Sequence, residues 1–308
     1  MTVKSVSFRG WKKCLKLNEG RLELIVTTEV GPRVIGLSAG GAENEFGVIE
    51  AEAGRTGGSQ WRIYGGHRLW HSPERAGRTY SPDNGPIKIE QTGGRVRLVQ
   101  PVEAETGIEK SLEISLPPGK FLRAVVNHRL VNRGHWSVEL APWALSVLAP
   151  GGVAVVPQPN RPKSDPFQPD RILSLWPYTR LDDPRLTIGR RYLMLRQDPQ
   201  QAHPCKFGVN DIDNWCAYAN RGRVFLKRFR YAPGAAYPDG GASVEVYTNH
   251  LFLELETLGP LVRLEPGAAV EHREEWLLLE GVATPAGERE VSGKFVPALR
   301  KMLGRIGR

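Results

Sequence analysis

The sequence predicts an all-β protein, a large antiparallel sandwich closed by a short C-terminal helix, and three observations carry that prediction. About fifteen segments of five to ten residues alternate apolar with polar residues or run rich in β-branched ones, the signature of strands. The 34 glycines and 24 prolines fall mainly between those segments, where turns are needed. No helical periodicity alternates with the strands, which argues against βαβ units and a parallel sheet.

Taken in order, Arg21 to Thr28 reads as a strand, Gly31-Pro32 breaks it, and Arg33 to Leu37 resumes. After polar loops through Gly40-Gly41 and Gly57-Gly58 comes the densest stretch of the chain, WRIYGGHRLWHSPE, from Trp61 to Glu74. It reads either as a loop that lines a polar pocket or as a surface loop whose His and Arg are solvated and whose Trp residues plug the edge of the β core. Its glycine pair lets backbone approach a ligand, its histidines move protons near neutral pH, and its arginines offer planar forks of donors. Strands return at Ile87 to Gln91, Val96 to Val99, Ile108 to Ser115, Leu122 to Asn132, Val138 to Leu148 and Val153 to Val156. A Pro- and Asp-rich excursion from Pro157 to Pro184 is too long for an ordinary connection and is expected to be functional or to fold back through Trp176-Pro177-Tyr178. Further strands are expected at Thr187 to Leu195, Asn214 to Tyr218, Arg223 to Arg230, Ala242 to Thr248, Leu251 to Leu255 and Val270 to Glu280. Helix is expected only after Pro285. No flexible linker divides the chain, so residues 1–281 are expected to form one domain, with residues 282–308 docked on it as a helical tail; a split near Pro157 is the alternative.

Composition excludes several classes. The net charge of +9 (42 Lys and Arg against 33 Asp and Glu) is scattered, with mild clusters at Lys227-Arg228-Phe229-Arg230 and at the C-terminus. No zinc-finger, helix-turn-helix or RNA-binding signature accompanies it, so nucleic acid is not an expected partner, and the charge reads as surface with some bias toward anionic small molecules. The three cysteines fit neither a disulfide framework nor a zinc site, and no metal or cofactor is expected. No membrane span and no N-terminal signal segment is visible, so a cytoplasmic location is expected.

Four stretches in order, NEGRLELIVTTEVGPRVIGLS, GGHRLWHSPE, VVNHRLVNRGHWSVELAPWALSVL and NHLFLELETLGPLVRLEPGAAVEHREEW, together resemble the galactose mutarotase-like superfamily, the β-supersandwich of the aldose 1-epimerases, and a bacterial branch of it. The resemblance implies carbohydrate chemistry on a small sugar or oligosaccharide. In that chemistry a carboxylate takes the proton of the C1 hydroxyl while a general acid protonates the ring oxygen. Glu256, in Leu253-Glu254-Leu255-Glu256-Thr257, matches the base, and Glu254 lies two residues away on the same strand face. The family's central-strand histidine has no counterpart here, where Trp143 occupies the neighbourhood. Either His67 or His71 supplies the acid or the protein does not perform mutarotation, and His128 and His135 are read as structural or surface residues. Arg68, Trp70, Glu74, Arg33, Trp143, Lys206 and Glu254 are the expected substrate-binding residues, with Asp211, Asp213 and Lys227 as weaker candidates. Three functions stay open: an epimerase, a carbohydrate-binding protein that stacks sugars on Trp70, Trp143 and Trp176, and a polysaccharide lyase or hydrolase.

Overall fold

Apolar alternation becomes two large antiparallel sheets, packed face to face, in the computed structural model of the chain, which describes residues 1–159 and 167–307. The strands are β1 (Thr2–Phe8), β2 (Trp11–Glu19), β3 (Leu22–Thr27), β4 (Val34–Ala39), β5 (His67–Ser72), β6 (Lys88–Thr92), β7 (Arg95–Val99), β8 (Ile108–Ser115), β9 (Leu122–Asn132), β10 (Val138–Leu148) and β11 (Val153–Pro157). They continue as β12 (Leu173–Leu175), β13 (Leu186–Ile188), β14 (Tyr192–Arg196), β15 (Cys205–Val209), β16 (Trp215–Asn220), β17 (Arg223–Arg228), β18 (Val244–Thr248), β19 (Leu253–Leu258), β20 (Val262–Leu264) and β21 (Ala269–Glu280).

One sheet runs β1-β2-β3-β4-β5-β10-β19-β18-β15-β12, with β20 pairing β10. The other runs β13-β14-β11-β16-β17-β21-β9-β8-β7-β6. Between them lies one apolar core, in which Phe46, Phe225 and Trp276 meet edge to face at 5.5–5.7 Å, the geometry ring quadrupoles favour. A second apolar cluster covers the outer face of the other sheet. There Val291, Phe295, Val296 and Leu299, from the helical stretch at residues 288–303, pack on Val155, Ala217, Leu226 and Leu277. No helix among the described residues is long and apolar enough to cross a membrane.

The main departure from the sequence reading concerns the dense stretch. His67 to Ser72 is a strand, wholly buried, in the middle of the first sheet, where β5 joins β4 to β10. Gly65 and Gly66 make that position possible. At φ +103° and +68° they bring the chain so close to its neighbours that an added Cβ would sit 2.1 Å from the Gly47 carbonyl oxygen and 2.3 Å from that of Val34. Their role is to seat a strand. Five further strands escaped the sequence reading, β1, β2, β12, β15 and β20, and the expected strand from Thr187 to Leu195 is a hairpin of β13 and β14. Residues 160–166 of the long excursion and residue 308 of the tail lie outside the described residues.

Candidate functional site: an aromatic cleft on the first sheet

Directly paired residues on antiparallel strands point to the same side, so the register assigns each side chain to a face. Leu145 pairs with both Arg68 and Glu256, Glu256 pairs with Glu245, and Trp143 pairs with Trp70. Two residues on, and so on the same face, Val147 pairs with Glu254, Glu254 with Tyr247 and Tyr247 with Lys206. All of these therefore stand on the outer face of the first sheet. The opposite parity, His67, Leu69, Ser146, Leu253, Leu255 and Phe207, faces the core between the sheets.

On that outer face lies a cleft of about 330 Å³. Its aromatic wall is continuous: Trp61, Trp70 and Tyr80 form a triangle of ring contacts at 5.2–5.5 Å, and Trp70 meets Trp143 at 5.3 Å. Tyr178, Tyr247 and Phe252, in ring contact with one another, complete the aromatic lining. Tyr178 arrives from the long excursion, which folds back as expected and also lays Trp176 over Lys206.

Two cations are fixed in this frame. Arg68, almost fully buried, stacks over Trp70 at 4.3 Å and ion-pairs with Glu254 at 2.9 Å, while its Nε and Nη1 have no protein partner. Lys206 sits between Trp143 and Trp176 and ion-pairs with Glu245 at 2.7 Å and Glu256 at 3.3 Å. Burial alone would strip its proton, but the two carboxylates outweigh burial and raise its pKa, so the ammonium stays charged. Burial pushes both carboxylates upward, Glu245 furthest, and one ammonium cannot neutralise two. Glu74, at the rim, accepts a hydrogen bond from the Tyr80 hydroxyl.

Of the residues expected from sequence, Arg68, Trp70, Glu74, Trp143, Lys206 and Glu254 line this one cleft. Glu256 lies beneath it. Its carboxylate is fully buried, with Oε2 accepting from Trp143 Nε1 at 2.7 Å and from Lys206. Arg33 is elsewhere: wholly buried, it donates to the carbonyls of Ile63 and Gly65 and pairs with Asp83 at 2.7 Å, holding the segment that leads into β5. Asp211 is buried and accepts from the backbone of Asp213 and Trp215, a turn-forming role.

The two histidines proposed as acids point the wrong way. His67 bonds Ser146 Oγ at 2.8 Å and His128 Nε2 at 2.7 Å, both between the sheets. His71 also faces inward, beside Glu103 at 3.6 Å and accepting from Arg78 Nε at 3.3 Å. The physical reason is the strand period of two: with Arg68 and Trp70 outward, His67 and His71 must be inward. Lys227, too, lies in the core, where its ammonium bonds Glu274 at 2.9 Å.

Burial holds all four of these inner histidines, His67, His71, His128 and His272, below the usual imidazole range, His272 down to about 3. The sign follows directly. Between the unfolded value of about 6.5 and the depressed folded values, the unfolded chain binds protons that the folded chain refuses, so stability falls as pH falls. Urea denaturation between pH 7.5 and 5 is expected to show a loss approaching about 1.4 kcal/mol per pH unit for each histidine involved. A flat profile through this window would contradict the buried neutral rings.

Sequence reasoning missed Trp61 as a wall residue, and also Tyr80, Tyr178, Tyr247, Phe252 and Glu245. The signal existed for Glu245 and Tyr247, which alternate with Val244 and Val246 in one strand and so share a face opposite the core.

No protein-family model and no curated protein matches the chain. Solved structures do. A galactose mutarotase-like protein from Lactobacillus casei ATCC 334 is 11% identical, with a TM-score of 0.55 over 86% of this chain and 99% of that one. A galactose mutarotase-like protein from Clostridium acetobutylicum is 11% identical, with a TM-score of 0.53 over 91% and 98%. A TPR-domain containing protein from Parabacteroides distasonis ATCC 8503 is 14% identical, with a TM-score of 0.58 over 90% of this chain but 49% of that one, so the chain spans about half its length. The chain has the galactose mutarotase-like fold, as the four sequence stretches implied.

Proposed function

We propose that the cleft binds an uncharged sugar and that it does so without exchanging the sugar's anomers. One observation carries the reading: the continuous wall of Trp61, Trp70, Tyr80 and Trp143 stands beside Arg68, whose Nε–H and Nη1–H groups find no partner within the protein. Aromatic faces receive the C–H side of a sugar ring, and a guanidinium in the lining offers a planar fork of donors to its hydroxyls. Both cations already have carboxylate partners, so the cleft offers no net attraction to a phosphate or uronate.

Anomer exchange needs a base and an acid on the same ring. Glu256 is sealed beneath Trp143 and Lys206, and neither His67 nor His71 reaches the cleft. The isomerase reading keeps one point in its favour, since Glu254 is a carboxylate within the lining. That carboxylate is held by Arg68.

Titration with neutral hexoses and their disaccharides, followed by tryptophan fluorescence and calorimetry, is expected to show saturable binding that Trp70→Ala removes. Absence of binding across the panel, with glucose 6-phosphate bound instead, would sink the proposal.

A further inference from the structure

Directly behind the cleft floor, between the sheets, lies a second cluster that sugar binding does not use. His67 Nε2 and His128 Nε2 face each other at 2.7 Å, and together with a Glu274 carboxylate oxygen these atoms lie within 4.8 Å of one another, all fully buried. Each ring is held by its far nitrogen. His128 Nδ1 lies 2.8 Å from the His272 carbonyl oxygen, and His67 Nδ1 lies 2.8 Å from Ser146 Oγ. A carbonyl only accepts, so the proton of neutral His128 is on Nδ1 and its Nε2 presents a lone pair.

In the proton-filled arrangement, His67 Nε2–H donates to that lone pair and Ser146 O–H donates to His67 Nδ1. A single tautomer change alters this. Moving the His67 proton to Nδ1, where Ser146 Oγ accepts it, leaves two Nε2 lone pairs converging beside an ionised carboxylate, with no proton lost from either ring. Second partners that fix the remote nitrogen are what metal-bound histidines carry.

We propose that His67, His128 and Glu274 form a buried binding site for a divalent transition ion, with zinc the best match to two imidazoles and a carboxylate. Glu274 Oε2 is the oxygen facing His128, at 3.9 Å, and also accepts from Trp276 Nε1. Lys227 and Thr257 engage Oε1. Zinc–nitrogen bonds of about 2.0–2.1 Å in a tetrahedral arrangement separate the two nitrogens by about 3.3 Å, so the rings need to part by roughly 0.6 Å. His67, His128 and Glu274 are all fully buried, so the ion is taken up as the chain folds. The site departs from the expectation of no metal and stands independently of the sugar reading.

Protein produced in zinc-supplemented cells and purified without chelator is expected to carry about one zinc per chain by elemental analysis. Crystals should then show an anomalous difference peak at the zinc edge between His67 and His128. His67→Asn and His128→Asn should each lose the ion, while His71→Asn keeps it. Wild-type protein with essentially no metal, or an anomalous peak located elsewhere, overturns the proposal. Should the asparagine variants fail to fold, the wild-type metal content and peak position decide the matter alone.

Discussion

Replacing Lys227 with methionine is expected to destabilise the protein by about 3–5 kcal/mol, the cost of leaving a buried charge uncompensated. Lys227 and Glu274 are both fully buried, and the ammonium reaches across from one sheet to the other. It bonds Glu274 at 2.9 Å on β21 and the carbonyls of Leu255 and Ala144 on β19 and β10 at 3.0 and 3.3 Å. Methionine fills the space of the stem but returns none of these bonds, and in the metal-free protein, on which the comparison is made, Glu274 keeps only Thr257 and Trp276 as donors. Lys227→Met combined with Glu274→Gln should recover much of the loss, because a hydrogen-bonded amide replaces an unpaired carboxylate. Urea midpoints of the single and double variants measure the coupling. A loss below about 1 kcal/mol for the single change would mean the pair is not the desolvated tie described here.

Arg68→Ala is expected to weaken sugar binding by about 30-fold or more, equivalent to about 2 kcal/mol, the scale of a central binding residue. Three contributions vanish together: the two unpaired N–H donors, the stack on Trp70 that sets the wall's orientation, and the partner that holds Glu254. Arg68→Lys should fail to restore affinity, since an ammonium lacks the planar fork that stacks and donates at once. Calorimetry on folded variants reads this directly. Wild-type affinity in Arg68→Ala would place the ligand elsewhere.

The sandwich was legible in the sequence because most strands have one face in the core and show it as alternation, as in Leu22 to Thr27 or Val244 to Thr248. β5 was not, for the opposite reason. Both of its faces are buried, one under the cleft aromatics and one in the core, so polar and aromatic residues occupy both and the period of two is hidden. Reading it as a loop placed His67, Arg68, Trp70 and His71 in one pocket. Pairing with β10 separates them into two chemistries, one on each side of the sheet. Edge strands β1 and β12 were hidden by their exposure, since an edge with one covered face and many polar residues shows little pattern. The cleft's composition was half visible. Arg68, Trp143 and Lys206 were pointed to by the family resemblance and Glu254 by sharing a strand face with Glu256, but Tyr80, Tyr178 and Tyr247 join them only through long-range strand pairing, which no local pattern encodes.

The proposed function pairs a sugar-binding cleft with acid and base groups that are turned away or sealed. The most direct measurement is anomer exchange by NMR saturation transfer on whichever hexose binds, with protein at near-saturating concentration. The expected rate equals that in buffer alone, and is the same for the wild type and Glu256→Gln. An accelerated rate in the wild type that disappears in Glu256→Gln would show Glu256 acting as a base and contradict the account.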